Sequence, residues 1–114
     1  MTKNKGKCIL LVKSEETIDG ISEYFFNNDD IESAKDMLNS MISYMELKAN
    51  AIINDLMANG YDHINLYLNS NAPFALVSII NECICNGMLL TVYHYDATNY
   101  YYVPQNIYAS NRTV

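Results

Sequence analysis

From His63 to Tyr95 the chain reads strand, helix, strand with few residues between them, and that order constrains the fold more than any other feature. His63-Ile-Asn-Leu-Tyr-Leu-Asn69 places Ile64, Leu66 and Leu68 on alternate positions, the period-two pattern of a strand. Ser70-Asn71-Ala72-Pro73 follows, where Ser70 or Asn71 is expected to cap a helix that Pro73 opens. That helix carries Phe74, Leu76, Val77, Ile79, Ile80, Cys83 and Ile84, stops at Asn86-Gly87, and is apolar around enough of its circumference to be expected buried. Met88 to Tyr95 is the next strand. Strands joined through a helix pair in parallel by a right-handed crossover. Asp96-Ala-Thr-Asn99 then reads as a turn and Tyr100 to Val103 as an antiparallel partner stopped by Pro104.

The first half extends the same order. Lys7 to Ser14 is a continuous apolar run of strand length around Cys8-Ile-Leu-Leu-Val12, as expected of a strand buried on both faces. Asp19-Gly20 is a turn dipeptide, and Ile21 to Phe26 reads as a second strand or a short helical turn, the strand being preferred. Asp29 opens a D-x-x-E capping box with Glu32, after which Ile31, Ala34, Leu38, Met41, Met45, Ala49, Ile52 and Leu56 recur at helical spacing up to Asn59-Gly60. The expectation is one α/β domain over residues 1–114: a small Rossmann-like sandwich with a mostly parallel central sheet, a C-terminal antiparallel hairpin and a polar tail over 105–114.

At 114 residues and 50% hydrophobic, such a domain can hold a core without a metal or disulfide. The apolar run Cys8 to Val12 is too short for an export signal or a membrane span, and the three cysteines have no metal-like spacing. A cytoplasmic protein is expected, with Cys8, Cys83 and Cys85 as buried small hydrophobes. Fifteen Asn, ten Tyr and six Lys against a single Arg suggest an AT-rich coding sequence, as in low-GC bacteria and their mobile elements.

The formal net charge of −6 makes duplex nucleic acid a poor partner. It is also unevenly spread: residues 1–13 carry +4, residues 14–62 carry −9 and residues 63–114 carry −1. The nearly uncharged last third, rich in Tyr and Asn, is expected to form the centre of the fold.

Catalytic constellations are sparse. His63 and His94 lie in no H-x-E, H-E-x-x-H or C-x-x-C pattern, His94 stands two residues from Asp96 without a nucleophile, and the four glycines stand alone rather than in a phosphate loop. No catalytic residue, metal site or cofactor is expected. Ligands of open α/β sheets sit beyond the carboxyl ends of the strands, where Lys13, Ser14, Asn69, Ser70, Asn71, Tyr95 and Asp96 should converge around a helix N-terminus suited to an anion. The acids Asp29, Asp30, Glu32 and Asp36 at the start of the long helix, with Tyr100, Tyr101 and Tyr102 in the hairpin, form a second group, suited to a protein partner.

His63 to Pro104 resembles the closing half of a SAVED domain, the CARF-related sensor of cyclic oligonucleotides in bacterial antiphage systems. The matching positions are His63, Ile64, Leu66, Pro73, Ala75, Tyr95, Asp96 and Tyr102 to Pro104, within 42 of 114 residues. The resemblance implies a fold and a nucleotide pocket. Full SAVED domains contain two such halves where this chain has one, and the small glycine-containing pattern usual in the helix is absent.

Two readings follow. The preferred one is a small acidic non-enzymatic interaction protein, mobile-element encoded, that blocks a host defence complex with a basic surface through the acidic helix start and the Tyr-rich hairpin. The alternative is a binding module for a nucleotide second messenger, disfavoured because only Lys13 offers positive charge. Homo-oligomerisation through the apolar second helix or the Tyr edge is compatible with either.

Overall fold

Residues 5–107 are described by a computed structural model. Its elements are β1 (Gly6–Val12), β2 (Tyr24–Phe26), α1 (Asn28–Asp36), α2 (Leu38–Ala58), β3 (His63–Tyr67), α3 (Pro73–Asn86), β4 (Leu89–Asp96) and β5 (Tyr101–Ile107). They form a mixed α/β fold around a five-stranded sheet in the order β2-β1-β3-β4-β5. All neighbours are parallel except β4 and β5, which pair antiparallel.

The register separates the two faces of the sheet. Ile9, Leu66 and Val92 share one row; the next residues along, Cys8, Asn65, Thr91 and Asn106, share a row on the opposite face. Ile9, Leu11, Ile64, Leu66, Leu90 and Val92 join Met45, Ala49, Ile53, Ala75, Ile79 and Cys83 in one core. The α2 and α3 helices therefore cover the same face, packed along each other. This follows from handedness: β2 to β3 and β3 to β4 step the same way across the sheet, so right-handed crossovers put their helices on one side. The step from β1 to β2 goes the other way, so the segment 13–23 belongs on the second face. Each large aliphatic or aromatic side chain sealed in this core stabilises the fold by roughly 1.5–3 kcal/mol.

Several boundaries differ from expectation for identifiable reasons. The long helix starts two residues earlier and breaks. Asn27 is the N-cap, its side chain accepting from the Asp30 N–H at 2.9 Å while Asp30 Oδ2 accepts from the Asn27 N–H at 3.1 Å, so the box pairs Asn27 with Asp30 and not Asp29 with Glu32. At Met37 (φ −132°, ψ 52°) the backbone leaves helical geometry, and α2 starts afresh. Apolar spacing runs on through the break, so periodicity alone does not register it. Asp19 (φ 51°) and Gly20 (φ 79°) form the two-residue turn of the Ile18–Ile21 bridge, which leaves only Tyr24–Phe26 as strand where Ile21 to Phe26 was expected. The α3 helix is capped by Ala72 without a side-chain hydrogen bond, so neither Ser70 nor Asn71 caps it. Nor is it wholly buried: Val77 and Ile84 are exposed. Cys83 alone of the three free thiols is buried, while Cys8 and Cys85 are exposed.

The last strand does not stop at Pro104. The Tyr93 carbonyl accepts from the Leu68 N–H at 3.0 Å and so faces β3. Its antiparallel partner Pro104 then sits in a non-hydrogen-bonded pair, where a missing N–H costs the ladder nothing and points off the sheet edge. The strand continues to Ile107; of the expected tail, 105–107 is strand and the rest lies outside the described residues. No described helix is long and apolar enough to cross a membrane.

Candidate interaction surface

The expected strand-end cluster is only partly assembled. Asn69 extends the sheet with its side chain: Oδ1 accepts from the Val12 N–H at 3.0 Å and Nδ2 donates to the Val12 carbonyl at 2.6 Å. This draws Asn69, Ser70 and Asn71 to the end of β1, where Ser70 and Asn71 line a small cavity of about 110 Å3 with Leu11, Leu68 and Leu76. Lys13 turns the other way. Its N–H donates to the Phe26 carbonyl at 2.8 Å and its Nζ lies 5.9 Å from the Tyr24 ring centre, on the β2 side. Ser14 follows it, half-buried, into the 13–23 segment.

Tyr95 and Asp96 lie further along. Tyr93 pairs with Tyr67, the last residue of β3, so Asp96 stands about 10 Å beyond that level at the strand rise. Its carboxylate is engaged by the hairpin: Oδ1 accepts from Thr98 N–H at 3.0 Å and Asn99 N–H at 3.2 Å, and Oδ2 accepts from Asn99 Nδ2 at 2.9 Å. The Asn99 side-chain and backbone donors hold this carboxyl below its ordinary value. The Tyr100 N–H closes the turn onto the Asp96 carbonyl at 2.8 Å. His94 is oriented by Gln105, its Nε2 2.8 Å from Oε1, and not by Asp96. A groove of about 520 Å3 between residues 22–24 and α2, lined by Ile9, Glu23, Ile52 and Asp55 among others, contains none of these residues.

The helix-start acids divide as well. Asp30 is buried and bound to Lys48 Nζ at 2.7 Å, so it is part of the fold and not of a contact surface. Asp29, Glu32 and Asp36 are exposed, with Glu32 paired to Lys35 at 2.8 Å. The α1 helix follows β2 directly, at the opposite edge of the sheet from β5. Four strand spacings, about 19 Å, separate β5 from β2, the strand that leads into these acids.

Four tyrosines from three strands meet in one cluster. Tyr67 and Tyr93 stack with centroids 4.5 Å apart and planes 2° apart; Tyr102 meets Tyr67 edge-on at 5.0 Å and 70°, and Tyr95 meets Tyr102 at 5.2 Å and 59°. All four lie on the face that carries no helix. Burial raises the Tyr67 and Tyr102 phenols above their ordinary value, and Asp19 adds to both shifts, placing the 13–23 segment near them as the handedness argument requires. Tyr100 and Tyr101 stand apart at the tip, 80% and 54% exposed, and Tyr95 is 49% exposed. The last third is therefore an edge as much as a centre. From Ala97 to Ile107 it carries no charged residue.

Sequence reasoning missed Tyr67 and the polar row beneath it. On that row Thr91 Oγ1 donates to Asn106 Oδ1 at 2.8 Å and lies 2.8 Å from Nε2 of His63, which stands on the neighbouring row of the same face. The signal was the β3 alternation itself, which sets His63, Asn65 and Tyr67 opposite Ile64 and Leu66. Among the described residues no group of three or more His, Cys, Asp or Glu is placed to hold a metal. Comparison of the chain with models of known families, with curated proteins and with solved structures gives no match.

Proposed function

We propose that this chain is a non-catalytic interaction module that recognises a protein partner with a basic surface through the β4–β5 hairpin and the adjoining open sheet face. The observation that carries the reading is Tyr100, held almost fully exposed at φ 62° by the Asp96 turn network beside exposed Tyr101. A left-handed non-glycine residue costs about 1–2 kcal/mol, and a large ring displayed at that cost on an uncharged edge suits a contact residue more than a packing one. The acid-rich first half supports a basic partner, and a mobile-element protein that blocks a basic host defence complex fits this composition.

The test compares affinity capture by the wild type and by a Tyr100→Ser/Tyr101→Ser variant from cells of the source organism and its relatives. A stoichiometric partner recovered by the wild type and lost by the variant is the expected result; equal recovery by both overturns the reading. The SAVED-like nucleotide reading draws support from the α3 N-terminus, which lacks a side-chain cap beside Ser70 and Asn71. Calorimetry with mono-, di- and cyclic nucleotides decides it, and no heat at millimolar ligand removes it.

A further inference from the structure

Within that reading of the hairpin face, we propose that the corner formed by Tyr95 and Tyr102, backed by Tyr67 and Tyr93, docks an arginine side chain of the partner. Four electron-rich rings are linked on one face by three contacts, Tyr93 to Tyr67 to Tyr102 to Tyr95, with centroids 4.5 to 5.2 Å apart, and the two hairpin rings are inclined at 59°, with Tyr95 half open to solvent. The negative π faces of tyrosines attract cations. No lysine or arginine of the described sheet residues shares this face: Lys7 lies on the helix side of β1, and Lys13 sits at the far edge by Tyr24.

The flanking 13–23 segment is acidic, with exposed Glu15, Glu16 and Asp19, and Asp19 acts on the two inner rings. An anionic ligand would meet both the rings and these carboxylates unfavourably. A guanidinium suits the corner better than an ammonium. It is planar and weakly hydrated, so it stacks on the Tyr95 ring while its N–H edges remain free for a carboxylate on the 13–23 segment.

The probe is the peptide acetyl-Gly-Arg-Arg-Gly-amide, compared with its Lys-Lys and Gln-Gln analogues, titrated into the full chain with 13C-labelled tyrosine rings and read by NMR at low salt. The arginine peptide is expected to shift the Tyr95 and Tyr102 ring signals, to bind several-fold more tightly than the lysine peptide, and to leave them unmoved in its Gln form. Tyr95→Leu, at a half-exposed position outside the core, should weaken binding about two- to fivefold. Asp19→Asn, which keeps a residue tolerant of the left-handed turn, should weaken it and flatten its salt dependence. Equal shifts from the Gln peptide, equal affinity for the lysine peptide, or shifts confined to Tyr100 and Tyr101 would each overturn the assignment. Partner capture that survives Tyr95→Leu while the peptides stay silent overturns this inference and leaves the hairpin reading standing; capture unaffected by Tyr100→Ser/Tyr101→Ser overturns the hairpin reading instead.

Discussion

Asn69 can be a ligand residue or a piece of the sheet, and replacing it by alanine separates the two. Its amide supplies an acceptor to the Val12 N–H and a donor to the Val12 carbonyl, at 3.0 and 2.6 Å, on a residue only 3% exposed. Depriving a buried backbone group of its partner costs about 1–3 kcal/mol. Two such losses, partly relieved by water entering from the small cavity beside Ser70, give about 2–4 kcal/mol against a total stability of roughly 5–15 kcal/mol for a domain of this kind. At about 5 °C per kcal/mol for this size the melting temperature should fall by roughly 10–20 °C. Asn69→Asp should be no better, because a carboxylate oxygen would then face the Val12 carbonyl in place of a donor. Urea unfolding followed by far-UV circular dichroism measures both variants, with unchanged m-values confirming that only stability moved. A loss below about 0.5 kcal/mol for Asn69→Ala would refute the reasoning and return Asn69 to the set of side chains available for a ligand.

Three further outcomes follow from the same geometry. Asp30→Ala removes a capping box and the partner of Lys48 in one step, and should cost about 1–3 kcal/mol in thermal or urea unfolding, whereas Asp29→Ala, exposed and outside the box, should cost under about 0.5 kcal/mol. Because the folded Asp96 carboxyl is held below its ordinary 3.8, its contribution to the hairpin is fully present above that pH and is lost as pH falls through the lower folded value; Thr98 and Asn99 amide protection should disappear in that acid window, and Asp96→Asn should remove the pH dependence. Burial pushes the Cys83 thiol up to about 12, so iodoacetamide near pH 8 should label Cys8 and Cys85 in the native chain and Cys83 only after urea unfolding, read by intact mass.

The element order was legible because each signal is local. Ile64, Leu66 and Leu68 alternate within one strand, Asp19-Gly20 has the backbone freedom its turn needs, and Gly87 (φ 71°) ends α3 where the sequence placed a stop. Boundaries were less legible where two local signals compete. Asn27 and Asp29 are both good caps, and only the Asp30 carboxylate reaching back to the Asn27 N–H, while held by Lys48 from α2, selects the first. Pro104 reads as a stop in isolation and is harmless at an edge strand in a non-hydrogen-bonded pair.

The candidate surfaces divide along the same line. That Tyr100 and Tyr101 occupy a turn-flanking hairpin, and that the charge gathers in the first half, are properties of short stretches of chain, and the sequence alone determined them. Which residues meet across strands is another matter. Register and crossover handedness bring Tyr67 against Tyr93 from 26 positions away, send Lys13 towards β2 and Asp96 towards β5, and lay all described helices on one face so that the other carries none. A sheet decides its neighbours through backbone hydrogen bonds and a shared core. Those depend on every strand at once, so only the tertiary structure could show that the tyrosines form a surface while the expected strand-end pocket is partly taken up by the fold itself.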